Sequence, residues 1–275
     1  MALFGGFQER REKKALDHYF TTLSVDATQI EELAKACPQA AAHLHEVLKG
    51  PPDRDKRFRA LLGLQSLGIT PEMVPSVLDA LRDEDDLVQE TAAKILGANR
   101  QYAATVLPVL MKIYAENAAA RPIVLQIFGE YGPDARPAIP LLLDGLRQPT
   151  HALEVARCLA HIGLDDLDPV QRAIVEVLAD RAKGEDARRL PPEVVPALEA
   201  FLVSFVPWRT VDGIPAWRRA LEAYAELCAS PPEPIMRVLI ELVNSSDWKL
   251  RGEVGAQFLE MSRAKMVAEK VVRPQ

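Results

Sequence analysis

GPDARPAIPLLLDGL, residues 132–146, sets a proline directly before a leucine-rich run, with Ile139 ahead of Pro140 and Leu141 to Leu143 after it. A proline fits the first turn of a helix, because the N–H it lacks would have no helical partner there. The same arrangement recurs as EMVPSVLDAL from residue 72, ATVLPVLMKI from 104 and EVVPALEAFL from 193. Pro75, Pro108 and Pro140 lie 33 and 32 residues apart, and Pro196 follows 56 further on. Each proline is therefore expected to mark the start of one kind of helix.

A second motif follows the first. LVQETAAKILGA (87–98), AARPIVLQIFGEYG (119–132), THALEVARCLAHIG (150–163) and WKLRGEVGAQFLEMS (248–262) align without gaps. In that register Ala92-Ala93 matches Val124-Leu125, Val155-Ala156 and Val254-Gly255, while Leu96 matches Phe128, Leu159 and Phe258. KRFRALLGLQSLG (56–68) fits the frame through Ala60-Leu61 and Leu64, and AWRRALEAYAELC (216–228) through Ala220-Leu221 and Tyr224. Apolar residues recur at three- and four-residue spacing, as in Val77, Leu78, Leu81, Leu87, Val88, Ala92, Ile95 and Leu96. That is the helical period, and sustained period-two alternation is absent. A 30-odd-residue period carrying two helices reads as an all-α solenoid, in which neighbouring units stack because none buries its apolar face alone.

The proline-led first helix, the Asp in the turn (Asp83, Asp247), the small paired residues and the Leu96-Gly97 ending resemble HEAT repeats of the PBS-lyase-like type. The resemblance spans 38–163 and 191–263. It implies an α-α superhelix of about seven helical-hairpin repeats, with the second helices on a concave side. One α-solenoid domain over 1–275 is expected: a divergent N-terminal cap at 7–36, regular repeats at 38–163, an irregular helix and loop at 164–190, C-terminal repeats at 191–263 and a tail at 264–275. Within the irregular part, Asp168-Pro169 is a good helix start, with Asp as N-cap and Pro at N1. RAKGEDARR, from residue 181, reads as an exposed loop.

Composition narrows the function classes. Hydrophobic residues make up 48% and charged residues 26% of the 275, and mean hydropathy is −0.04. No apolar run reaches the 18 or so residues of a membrane span. The formal charge of −6 argues against a global pull toward nucleic acid or anionic lipid. Cys37, Cys158 and Cys228 are too far apart for a zinc knuckle and are odd in number, which reads as buried thiols in a reducing compartment. A cytoplasmic location is expected. ALFGGFQERREKK, an apolar start followed by a net charge of +2 over residues 9–14, offers one alternative: recruitment to a membrane surface through residues 3–14.

No nucleotide-binding, metalloprotease or hydrolase motif is present, so no enzyme activity and no cofactor is expected. His43 and His45 in HLHE are two apart and point to opposite sides of a helix, so no local metal site is expected either. HEAT-type deoxyhypusine hydroxylases, which hold iron through several His-Glu pairs, are matched only at His45-Glu46. The acidic run RDEDD (82–86) reads as a solvated turn whose carboxylates suit a helix N-terminus.

The remaining signal is PWRTVDGIPAWRR, 207–219, which holds two of the three tryptophans. In the repeat frame it joins a first helix to its second, and Trp217 takes the position of Gln89, Arg121 and Arg251. The resemblance puts that position near the concave edge. Exposed tryptophan beside guanidinium groups is the composition of an interaction hot spot. A protein partner of unknown identity is therefore expected at Trp208, Arg209, Trp217, Arg218 and Arg219, and along Arg57, Lys94, Arg121, Gln126, Arg157 and Arg251. Trp217→Ala with Arg218→Ala is expected to leave folding intact. The stretch also resembles the Trp–Asp element of HEAT-like alkylpurine DNA glycosylases, which would make Asp212 the catalytic carboxylate and Trp208 the cradle of the base. Its two elements stand much closer than in that family. A DNA glycosylase or a bilin-lyase-type enzyme is thus the alternative to a non-catalytic scaffold. Nucleic acid is not the expected partner, and the sequence leaves the oligomeric state open.

Overall fold

The computed structural model describes residues 2–22, 26–50, 53–148, 151–182, 185–204, 214–228, 232–243 and 252. The chain forms two compact units, Met1–Asp134 and Ala135–Gln275. Among the described residues the regular structure is helical and no strand occurs, so the all-α reading holds.

The first unit contains α1 (Ala2–Thr21), α2 (Ala27–Ala36), α3 (Ala40–Leu48), α4 (Arg54–Leu67), α5 (Val74–Ala80), α6 (Asp86–Ala98), α7 (Ala103–Glu116) and α8 (Arg121–Tyr131). Each helix packs on its chain neighbour in the pairs α1–α2, α3–α4, α5–α6 and α7–α8. Across the pairs, α4 packs on α6 and α6 on α8. The second helices thus form one layer. The alignment positions explain it: Ala60, Leu61, Leu64, Ala92, Ala93, Leu96, Val124, Leu125 and Phe128 are all buried. Ala60, Ala92 and Ala93 let α4 and α6 approach, and each fully buried Leu or Phe contributes about 1.5–3 kcal/mol.

The second unit contains α9 (Ile139–Gly145), α10 (Ala152–Ile162), α11 (Pro169–Leu178), α12 (Glu185–Arg188), α13 (Val194–Ser204), α14 (Ile214–Leu227) and α15 (Glu233–Val243). Here α10 packs on α9 and α11, and α11 packs on α13 and α14. Asp168 caps α11 through the N–H of Gln171, whose side chain returns the bond, so the Asp-Pro start is a full capping box. The stretch from 181 differs from an exposed loop: α12 lies within it, and Ala187 is buried.

The prolines divide into two groups. Pro75 and Pro140 occupy the first turns of α5 and α9, and α13 begins two residues before Pro196. Pro108 does not start its helix. It lies inside α7, which begins at Ala103 after a 3-10 turn over Arg100–Tyr102. That turn opens the helix upstream, and the Tyr102 hydroxyl anchors it by donating to the carbonyl of Ile69 at 2.9 Å. Leu87 also departs from the apolar stripe. It stands about 100° from Val88 around the axis and is 45% exposed.

Gly97 does not end its helix, as α6 runs on to Ala98 and is capped at Asn99. Its hydrogen faces the side chain of Glu130 on α8, where an added Cβ would meet Cγ at 3.0 Å. Among the glycines that do end helices are Gly68 after α4 and Gly163 after α10, with φ of 87° and 119°. Both have ψ near the extended value, a region essentially closed to other residues. A Cβ at Gly68 would meet nothing within 4 Å, so only backbone strain opposes a side chain. Gly68→Ala should therefore lower unfolding free energy by about 1–3 kcal/mol. Gly129→Ala, in the last turn of α8 with equal room, should raise it by up to about 1 kcal/mol. Denaturant titration of the two variants checks the opposite signs.

Candidate functional site

The expected binding residues separate by what their side chains do. Trp217, on α14, is only 1% exposed, and its indole N–H donates to the carbonyl of Leu202 at 3.0 Å. Leu202 lies in the last turn of α13, where carbonyls have no helical partner. Trp217 is therefore a core residue that closes the α13–α14 hairpin, and the expectation of an exposed Trp217 is corrected on that ground. Its repeat equivalents do the same work with other chemistry. The Gln89 side-chain amide donates to the carbonyl of Asp83 at 2.5 Å, just beyond α5. Arg121 Nε donates to the carbonyl of Tyr114 at 3.1 Å, in the last turn of α7, and its guanidinium lies 5.5 Å from the centre of the Tyr114 ring.

Arg219 is also turned inward. Its Nη1 donates to the carbonyl of Leu178, the last residue of α11, at 2.5 Å, and its Nη2 lies 3.4 Å from Asp180 Oδ2. Burial pulls the Arg219 pKa below the ordinary arginine value, and the Asp180 carboxylate opposes the shift. Asp180 itself has a φ of 69°, a left-handed turn conformation that Asp tolerates better than most residues.

Arg57 serves a third purpose. From α4 it reaches the turn of the following hairpin, with Nε 2.7 Å from Asp83 Oδ2 and Nη2 3.1 Å from Oδ1. The two side chains are 12% and 9% exposed. Asp83 Oδ1 also accepts the N–H of Asp85 at 3.0 Å. Asp83 is thus the hub of a largely covered junction, which corrects the solvated reading at that residue, while Arg82, Glu84 and Asp86 are exposed as expected. Asp85 fits the helix-start reading better, capping α6 through the N–H groups of Leu87 and Val88. Burial pushes its carboxyl up, but the Arg54 bond and the two N–H groups together hold it below the usual value.

Lys94, Gln126, Arg157 and Arg218 remain exposed. Lys94 and Gln126 stand on the adjacent helices α6 and α8 of the first unit, with Glu90 and Glu130 exposed one turn away on the same helices. Arg157 is on α10, and Arg218 on α14 pairs loosely with Glu222 at 3.8 Å. Trp208, Arg209, Asp212 and Arg251 lie outside the described residues.

Sequence reasoning did not bring together Glu12, Cys37 and His43. Their ligand atoms all lie within 4.8 Å of one another, at a corner of α1, α2 and α3. Burial pushes the Cys37 thiol up, the N–H of Gln39 works against this, and Glu12 adds to it. His45 faces elsewhere, with Nε2 2.9 Å from the Ser76 hydroxyl on α5. A cleft of about 550 Å³ opens beside the corner, lined by Lys13, Phe20, His43, Glu46 and others.

Residues 41–128 match the family model of HEAT repeats. A crystal structure of an engineered protein from the Northeast Structural Genomics Consortium is similar at 17% identity, over 95% of this chain and 79% of that chain, with a TM-score of 0.36. No curated protein matches the chain.

Trp217→Ala should cost about 3–5 kcal/mol, the range for deleting a buried aromatic side chain. Arg218→Ala should stay within about 0.5 kcal/mol of the parent. Both are read from chemical denaturation. Arg57→Ala strands a buried carboxylate and should cost about 3–5 kcal/mol. A double-mutant cycle with Asp83→Ala should return a coupling of about 0.5–3 kcal/mol.

Proposed function

We propose that the chain is a non-catalytic scaffold that binds a protein partner on the exposed faces of its second helices. HEAT repeats generally serve as protein-interaction scaffolds. The observation that carries the reading is the pairing of α6 and α8. Their buried faces are fixed against one another, and Lys94 and Gln126 project from equivalent repeat positions beside Glu90 and Glu130. Side chains held on rigid helices lose less freedom on binding than side chains on loops, which favours affinity.

The character of this face bears on the class of partner. Its charges are mixed, and the arginines expected to add positive charge, Arg57 and Arg121, are engaged within the unit. Phosphate recognition needs a run of available Lys and Arg. A mixed face suits a protein surface, where alternating charges set register and exclude wrong partners. No helix among the described residues is long and apolar enough to cross a membrane. The three cysteines are free, which suits the reducing compartment proposed for it.

The test is affinity capture with the full chain, followed by a binding isotherm with each purified partner, comparing the parent with Lys94→Glu/Gln126→Lys. These side chains are exposed, so stability should stay within about 0.5 kcal/mol. Affinity should fall by about tenfold or more, equivalent to about 1.4 kcal/mol. Unchanged affinity for every captured partner removes these helices as the binding face.

A further inference from the structure

We propose that Glu12, Cys37 and His43 form a divalent transition-metal site, with Zn²⁺ as the ion that suits their donor set. Three segments supply the ligands: Glu12 comes from the middle of α1, Cys37 from the C-cap of α2 and His43 from the first turn of α3. Their donor atoms lie within 4.8 Å of one another. Tetrahedral Zn²⁺, with bonds of about 2.0–2.3 Å, sets its donors roughly 3.3–3.6 Å apart. The remaining contraction of about 1 Å is within reach of side-chain rotation, above all for Glu12, whose chain has the most rotatable bonds.

The donor chemistry selects among ions. A thiolate, an imidazole and a carboxylate together suit Zn²⁺ and its neighbours in the transition series. Mg²⁺ and Ca²⁺ prefer oxygen ligands throughout. Three protein ligands leave a fourth position for water, the coordination seen where zinc stays open to exchange. His43 also lines the 550 Å³ cleft, which gives the ion a route in.

Cys37 is held as a ligand should be. It is 1% exposed, its N–H donates to the Leu33 carbonyl at 2.8 Å, and its own carbonyl accepts the N–H of Ala40 at 3.0 Å. The Cys37 backbone is therefore fixed between the end of α2 and the start of α3. Contacts that hold a ligating residue in place strengthen metal binding.

The site would also anchor α1. That helix is fixed near its C-terminal end by Tyr19, whose hydroxyl donates to the Arg59 carbonyl at 2.7 Å, while Arg59 Nη1 donates to the Tyr19 carbonyl at 3.2 Å. Glu12 lies two turns earlier, about 10 Å along the axis. A metal there fastens the helix at a second point.

The experiment uses the full chain, stripped with a chelator and titrated with Zn²⁺ by calorimetry, then with Co²⁺ by absorbance. We expect one ion per chain, a rise in Tm, and a thiolate-to-cobalt charge-transfer band. Cys37→Ser should abolish that band. His43→Ala, a change at the cleft rim, should weaken Zn²⁺ binding at least about tenfold while circular dichroism stays helical; loss of a ligand should cost no less than the tenfold or more that loss of an outer contact costs. If Cys37→Ser fails to fold, His43→Ala and Glu12→Gln decide the matter. The proposal is overturned by no saturable binding, by a cobalt spectrum without the thiolate band, or by unchanged affinity in His43→Ala and Glu12→Gln.

Discussion

The last carbonyls of a first helix have no partner within that helix, and in a hairpin the second helix covers them. Leaving such a group buried and unpaired costs about 1–3 kcal/mol. The protein places a donor there at one repeat position with three kinds of side chain. Arg121 reaches Tyr114 and Trp217 reaches Leu202, each in the last turn of the first helix, and Gln89 reaches Asp83 in the turn beyond it. An amide, a guanidinium and an indole share only an N–H donor on an arm long enough to cross the turn. Because this position closes the hairpin, it also sets how the two helices meet. The buried faces of α4, α6 and α8 can then register against one another.

The ion pair between Arg57 and Asp83 extends the logic from one hairpin to the next. A pair this buried contributes little net stability, since desolvation offsets the attraction. Its geometry is what it adds. One guanidinium nitrogen donates to Asp83 Oδ1, a second lies 2.7 Å from Oδ2, and Oδ1 also accepts the Asp85 N–H. A neighbouring hairpin that slipped by a residue would leave both charges buried and alone. Apolar packing tolerates such slips far better, so the pair specifies register where the leucines cannot.

These roles explain what was legible in the sequence. The paired small residues and the Leu96 position were legible, because burial at a helical period follows from residue type alone, and every described member is buried. The inward turn of Trp217 and Arg219 was not. Tryptophan beside arginine has the composition of a hot spot, and the same composition serves a carbonyl-capping clasp. Only the acceptors decide between them, and a backbone carbonyl carries no sequence signature. Pro108 was misread for a related reason: the 3-10 turn at Arg100–Tyr102 opens α7 upstream of it and shows no proline of its own. The Glu12–Cys37–His43 corner lay beyond any spacing rule, because its members come from three helices and meet only when α1 folds against the others.

The structural use of arginine in turn shapes the surface that is left. Arg57 and Arg121 in the first unit, and Arg219 in the second, are all spent on carbonyls or carboxylates. The exposed stripe of α6 and α8 is left with Lys94 and Gln126 among acidic neighbours. Such a face has little long-range field, so a protein partner of the kind proposed would be steered weakly and selected by contact. Contact selection needs side chains whose positions are fixed before the partner arrives. Within the first unit the Gln89 and Arg121 clasps and the Arg57–Asp83 junction supply that fixity, so Arg57 and Arg121, first read as contact residues, support the proposed face instead.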